Sequence, residues 1–228
     1  MGDSHVHRLR LTVPFDISLP QCYWWTEPYP DGYEKPTCEH EHLYKAGGIS
    51  QEIYFSAHKG KSAYSSEYFF NTSNLCIKKT ITDDMTILPF FGYIDAKIQL
   101  VKYKNPKEAV QKYIHGFLNG FPKNKIRFIE PIPQFINNIG TGNSIFNFSD
   151  RYPMHKEFVF HLREKCKELN LPVPLSPEKI FEVDKFDESY ECHECDYCLS
   201  SEGVGVKFDH LKPKFNKILL DAIISEML

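Results

Sequence analysis

The chain has 228 residues, of which 42% are hydrophobic, 25% charged and 14% aromatic, and its formal net charge is −3. That apolar fraction supports a sizeable core and excludes a wholly disordered chain. The near-neutral balance excludes a global positive field that would draw the protein to nucleic acid or membrane.

In chain order, residues 5–13 alternate, with His5, His7, Leu9, Leu11 and Val13 on one side, which is the period of a strand. Residues 20–48 carry Pro28, Pro30, Asp31-Gly32, Pro36 and Gly47-Gly48 and read as a long irregular loop. From Ile49 to Lys104 the pattern predicts strands at Ile53 to Ser56, Tyr64 to Phe70, Leu75 to Ile81 and Tyr93 to Lys104.

Helices follow. Asn105 as cap, Pro106 in the first turn and Glu108 as a capping-box acid open a helix whose apolar face is Ala109, Val110, Tyr113, Ile114 and Phe117, with Gly120 as its stop. Residues 154–169 repeat this logic with Phe158, Leu162, Cys166 and Leu169. Ser144 to Phe148 is strand-like. Residues 213–228 open on Pro213 and present Phe215, Ile218, Leu219, Ala222, Ile223 and Met227, a face widened by Leu220, Ile224 and Leu228. So wide a face predicts deep burial or a protein partner. Strands first and helices later predict a single α+β domain over 1–228, with a mainly antiparallel sheet from the N-terminal half and helices from the C-terminal half.

The seven cysteines are Cys22, Cys38, Cys76, Cys166, Cys192, Cys195 and Cys198. An odd number spread over this length is not a dense disulfide framework. There is no apolar leader at the N-terminus and no run of about 20 apolar residues for a membrane span. The expectation is an intracellular, cytoplasmic protein with no membrane association.

Cys192, Cys195 and Cys198 form a C-x2-C-x2-C run among Glu191, Glu194 and Asp196. Three soft ligands within seven residues predict a structural metal site and mark 184–210 as a small metal-binding insert. Zinc needs a fourth ligand, with His210, Cys38, His40, His42 and Cys166 as candidates. An iron–sulfur cluster is the second choice of cofactor, because the Cys-Pro continuation of the ferredoxin run is missing after Cys198. On an extended strand His40 and His42 share a face and could chelate an ion.

The small net charge hides segregation. Lys97, Lys102, Lys104, Lys107, Lys112, Lys123, Lys125 and Arg127 face only Glu108 within 97–127, while residues 176–196 are strongly acidic. Tyr103, Tyr113, Phe117, Phe121 and Phe128 interleave the basic block, a combination used by single-stranded nucleic-acid sites. No P-loop, HExxH, G-x-S-x-G or dinucleotide fingerprint appears.

The sequence therefore does not identify a reaction. The leading expectation is a non-enzymatic, zinc-stabilised binding or assembly module, docking a protein partner through its C-terminal helix or charge blocks. The second is a metal-dependent hydrolase using His40 and His42. The third is a nucleic-acid-binding module reading through Lys102, Lys104, Lys107, Lys112, Lys123, Lys125 and Arg127.

Overall fold

In the computed structural model, the residues described are 1–2, 6, 15–16, 41–46, 53–58, 62–68, 81–93, 95–132, 148–180 and 213–226. Their strands are β1 (Phe15–Asp16), β2 (Glu41–Ala46), β3 (Tyr54–His58), β4 (Thr86–Ile87) and β5 (Lys125–Ile126). A π-helical turn, Asp95–Gln99, runs into α1 (Leu100–Tyr103). It is followed by α2 (Pro106–Gly120), α3 (Phe148–Glu168), α4 (Pro177–Ile180) and α5 (Pro213–Ser225).

The centre of the molecule is a parallel sheet. β4 and β5 pair in parallel, Thr86 opposite Lys125 and Ile87 opposite Ile126. Parallel bridges widen this pair on both sides, Gly2 to Phe90 and Ile129 to Leu175. The backbone nitrogen of Met1 donates to Leu88 O at 2.8 Å, and Phe90 N–H donates to Met1 O at 2.7 Å. Glu130 N–H donates to Leu175 O, and Leu175 N–H to Phe128 O, both at 2.9 Å. On the far side of the first segment, Gly2 N–H donates to Ser56 O of β3 at 3.0 Å. Across the sheet, the segments numbered by their place in the chain thus run second, first, third, fourth, fifth.

Alternation along these segments builds two cores. Ile87, Phe91, Ile126 and Phe128 enter one cluster with Ala109, Val110, Tyr113, Ile114 and Phe117 of α2 and Phe158, Leu162 and Cys166 of α3. Phe90 and Ile129 point the other way and join Val6, Tyr93, Ile132 and Leu175 with Leu219, Leu220 and Ile223 of α5. A sheet apolar on both faces needs a helical layer on each, which is the α/β arrangement of a parallel sheet. Tyr113 centres the first core. Its ring lies edge-on to Phe128 at 5.0 Å and to Phe117 at 5.6 Å, and its hydroxyl accepts the buried N–H of Phe91 at 3.0 Å.

The expected mainly antiparallel α+β sheet is therefore corrected. Antiparallel pairing among the described residues is that of β1 with β2 and β2 with β3, helix outweighs strand, and the sheet that carries the cores is parallel. The run Tyr93 to Lys104 is no strand, because its buried residues Tyr93, Ala96 and Leu100 are three and four apart, which is helical spacing. Ala96 N–H bonds Gly92 O at 2.8 Å and the turn closes as helix. Tyr64 to Phe70 is likewise no strand over its described part, since 66–68 is helical. Val6 is helical where the alternation predicts a strand. The irregular loop expected over 20–48 contains the six-residue strand β2.

The helices are as expected in kind. α2 begins at Pro106 and buries Ala109, Val110, Tyr113, Ile114 and Phe117. Its capping box is not closed on the backbone. Asn105 makes no side-chain cap bond, and its amide instead donates to Glu108 Oε2 at 3.0 Å. α3 begins earlier than expected, at Phe148, and holds Pro153 inside it. α5 buries Leu219, Leu220 and Ile223 but leaves Ile218 exposed.

A candidate active site at the carboxyl end of the sheet

Open α/β sheets bind ligands outside the carboxyl ends of their strands, where the strand order reverses. Here that point lies between the segments ending at Gly2 and at Phe90. The first segment is tightly seated, for a Cβ on Gly2 would stand 2.3 Å from Phe90 O and 2.4 Å from Val6 Cγ2. In sequence, Asp3-Ser4-His5 joins Gly2, paired in the sheet, to the helical Val6.

After Phe90 the chain turns through Gly92, whose φ of +113° is a conformation that favours glycine. A Cβ there would meet Pro131 at 3.1 Å and Phe158 at 3.2 Å. The turn delivers Asp95, which is fully buried. Its carboxylate accepts the N–H of Ala63 at 2.6 Å and of Tyr64 at 3.0 Å. Burial pushes its pKa up from 3.8 to about 6, against the backbone hydrogen bonds that pull it down.

The neighbouring strand ends supply further polar groups. Glu130, 2% exposed, takes a fork from Arg163 of α3, Nε at 2.5 Å and Nη2 at 2.8 Å. Beyond Leu175, Glu178 Oε1 lies 3.7 Å from the buried His155 Nε2. His155 Nδ1 and Ser176 Oγ are buried with no hydrogen-bond partner among the described residues. The Tyr152 ring stacks with His155 at 6.1 Å, and burial, then the Glu178 charge, pushes its phenol up to about 12.

Of the expected metal ligands, Cys192, Cys195, Cys198, Cys38, His40 and His210 lie outside the described residues. The backbone of His42, in β2, pairs with Ala57 of β3. Cys166 packs in the first core, and burial, then the Glu130 charge, pushes its thiol up to about 12, the opposite of what a thiolate ligand needs. Among the described residues, no group of three or more His, Cys, Asp or Glu is placed to hold a metal ion. The expectation of a zinc-stabilised, non-enzymatic module is corrected on that finding, and the structural metal site leaves the description of the fold with it. The metal-dependent variant rests on His40 and His42, and His40 lies outside the described residues.

The aromatics that interleave the basic block lie mostly inside. Tyr113, Phe117, Phe121 and Phe128 are buried in the first core and present no ring to a base. Only Tyr103 of that set is exposed, with Lys102 Nζ 5.1 Å from its ring centre. Lys112 pairs with Glu108 at 3.0 Å and lies over the Tyr64 ring, Lys123 pairs with Asp83 at 3.0 Å, and Arg127 pairs with Glu226 at 2.6 Å. Lys104 closes α1 with a φ of 50°, and Lys107 and Lys125 are exposed.

No protein-family model and no curated protein matches the sequence. Solved structures similar to the chain include Est24, a carbohydrate acetylesterase from Sinorhizobium meliloti. It is 15% identical, covers 75% of each chain and has a TM-score of 0.47. Another is 11% identical over 75% of this chain and 74% of its own, with a TM-score of 0.48. At these scores the likeness bears no weight on its own. No helix among the described residues is long and apolar enough to cross a membrane.

Local patterning in the sequence misses Asp95, Gly92, Glu130 and His155. Their signal is positional, each following or facing the carboxyl end of a central segment, and it exists only once the parallel sheet is known.

Proposed function

We propose that the protein is a hydrolase of small acyl esters, with Ser4 as nucleophile and His210 as general base. The observation that carries this reading is the strand order. It sets the carboxyl end of the first segment at the reversal point of the sheet, and Ser4 follows Gly2 by two residues. In sequence Ser4 stands between the sheet-paired Gly2 and the helical Val6, and a serine between a strand and a helix is a position that acyl-transfer chemistry uses.

A serine hydroxyl needs a base within hydrogen-bond reach. His210 precedes α5 by three residues, and α5 packs in one cluster with Val6 and Phe90, which flank the same end of the sheet. In the reaction Ser4 Oγ attacks the ester carbonyl while His210 takes its proton. The tetrahedral adduct collapses, the C–O bond to the leaving group breaks, and His210 protonates the departing alcohol. Water, deprotonated by His210, then attacks the acyl-serine, and the carboxylate leaves as Ser4 regains its proton.

The test is turnover of p-nitrophenyl acetate, with fluorophosphonate labelling located by peptide mapping. The wild type hydrolyses the ester and is labelled on Ser4. Ser4→Ala loses both, and His210→Gln slows turnover by a factor on the order of 10³ or more. A wild type that neither turns over the ester nor takes the label at Ser4 sinks the reading.

A further inference from the structure

The loop holding Ser62 to Tyr68 meets the candidate site through a buried carboxylate. Asp95 is the first residue of the π-helical turn that follows the third segment of the sheet. It reaches the N–H groups of Ala63 and Tyr64, on the chain that follows β3, more than thirty residues away in sequence. β3 flanks the first segment on one side through Ser56, and Phe90 flanks it on the other. Asp95 therefore ties together the chains that leave the two neighbours of the segment ending at Gly2.

The tie is specific. A carboxylate can accept two N–H groups at once because it is acceptor-only with two oxygens. The loop is independently secured to α2. Tyr64 Oη donates to Glu108 at 3.0 Å, and Ser66 Oγ, whose one proton is shared between Ala63 O at 2.6 Å and Lys112 O at 3.2 Å, lies against the helix. Those anchors hold the loop on the helix layer, whereas Asp95 joins it to the turn that begins at Gly92. An ionisable group placed where no water reaches is costly, and the two N–H bonds offset part of that cost.

We infer that Asp95 is a positioning residue that fixes the loop 62–68 against the turn after Phe90 and so holds in register the chains that leave the two neighbours of the segment ending at Gly2. The inference rests on the serine-hydrolase reading of that end of the sheet. Among the described residues the partners of Asp95 include the N–H groups of Ala63 and Tyr64. It acts through the backbone of Ala63 and Tyr64, so its loss displaces groups at the site without removing any.

A displaced site loses transition-state alignment more than substrate binding, and a shift of about 1 Å is worth a factor on the order of 10² in rate. Asp95→Ala and Asp95→Asn are compared with wild type in p-nitrophenyl acetate hydrolysis, with folding followed by cooperative urea melts. Expected is a fall in kcat of about 100-fold in Asp95→Ala, with KM within about twofold, and partial recovery in Asp95→Asn, which retains one acceptor oxygen. Asp95→Asn decides the matter if Asp95→Ala does not fold. Unchanged kcat in a folded variant overturns the inference, as does a rise in KM with kcat intact. A failure of the hydrolase reading shows itself separately, in a wild type without turnover or Ser4 labelling.

Discussion

Asp95 Oδ2 accepts the N–H of Ala63 at 2.6 Å in a place where neither residue is exposed to solvent. The carboxylate is satisfied in its hydrogen bonds but not in its charge. Its folded pKa is raised from 3.8 to about 6, chiefly by burial. The native state therefore holds this proton more tightly than the unfolded chain. The stabilisation is complete below pH 3.8 and is lost as pH rises through about 6. A proton held that much more tightly contributes on the order of 3 kcal/mol. Urea melts of wild type and Asp95→Asn across pH 4 to 7 measure it. The wild type should lose stability with rising pH over this window relative to the variant. Parallel pH profiles would show that Asp95 titrates as an ordinary carboxylate.

Gly116 sits within α2, where alanine is ordinarily better by about 1 kcal/mol. Here a Cβ would stand 2.7 Å from Glu67 N and 2.8 Å from Ser66 C, both backbone atoms. Backbone cannot swing aside as a flexible side chain can, and overpacking costs about 1–3 kcal/mol. The steric term wins, and Gly116→Ala should be destabilised by up to about 2 kcal/mol. A variant more stable than wild type would mean that the loop 62–68 yields freely.

Tyr113→Phe removes one oxygen from the centre of the first core. The ring contacts remain, but the Phe91 N–H, held at 3.0 Å, loses this acceptor in a buried place. Leaving a buried donor unsatisfied costs about 1–3 kcal/mol. Phe117→Ala, which removes a fully buried ring, should cost about 3–5 kcal/mol. If both substitutions cost the same in denaturant melts, the hydroxyl carries more of the core than its single hydrogen bond explains.

Helix α2 is legible in the sequence because its stripe Ala109, Val110, Tyr113, Ile114 and Phe117 is regular and Pro106 marks its start. The central sheet is not. Its segments are short, and Ile87, Phe90 and Phe91 serve both of its apolar faces, so no alternation of apolar with polar announces a strand. Tyr93 to Lys104 misleads in the opposite sense. Isoleucine, valine and tyrosine raise strand propensity, yet burial at Tyr93, Ala96 and Leu100 decides for helix. The proposed nucleophile Ser4 is hidden for the same reason as the sheet. Gly2-Asp3-Ser4 gains meaning only when Gly2 is seen paired to Phe90, and the histidine pattern beside it has the period of a strand. The cysteine run draws attention because ligand spacing is a local property, whereas the pairing of strand ends is not.

Glu130 and Arg163 form an ion pair that is buried at one end, the Glu130 side chain 3% exposed and that of Arg163 42%. Arg163→Met would leave a charge stranded beyond the end of β5. Breaking a fully buried pair costs about 3–5 kcal/mol, and the exposure of Arg163 lets water screen part of that, so about 2–3 kcal/mol is expected. Adding Glu130→Gln should recover more than half of the loss, because the neutral amide needs no counter-charge. The double-mutant cycle measures that coupling in urea. Additive losses, with no recovery in the double variant, would show that Glu130 is held by its surroundings and not by Arg163.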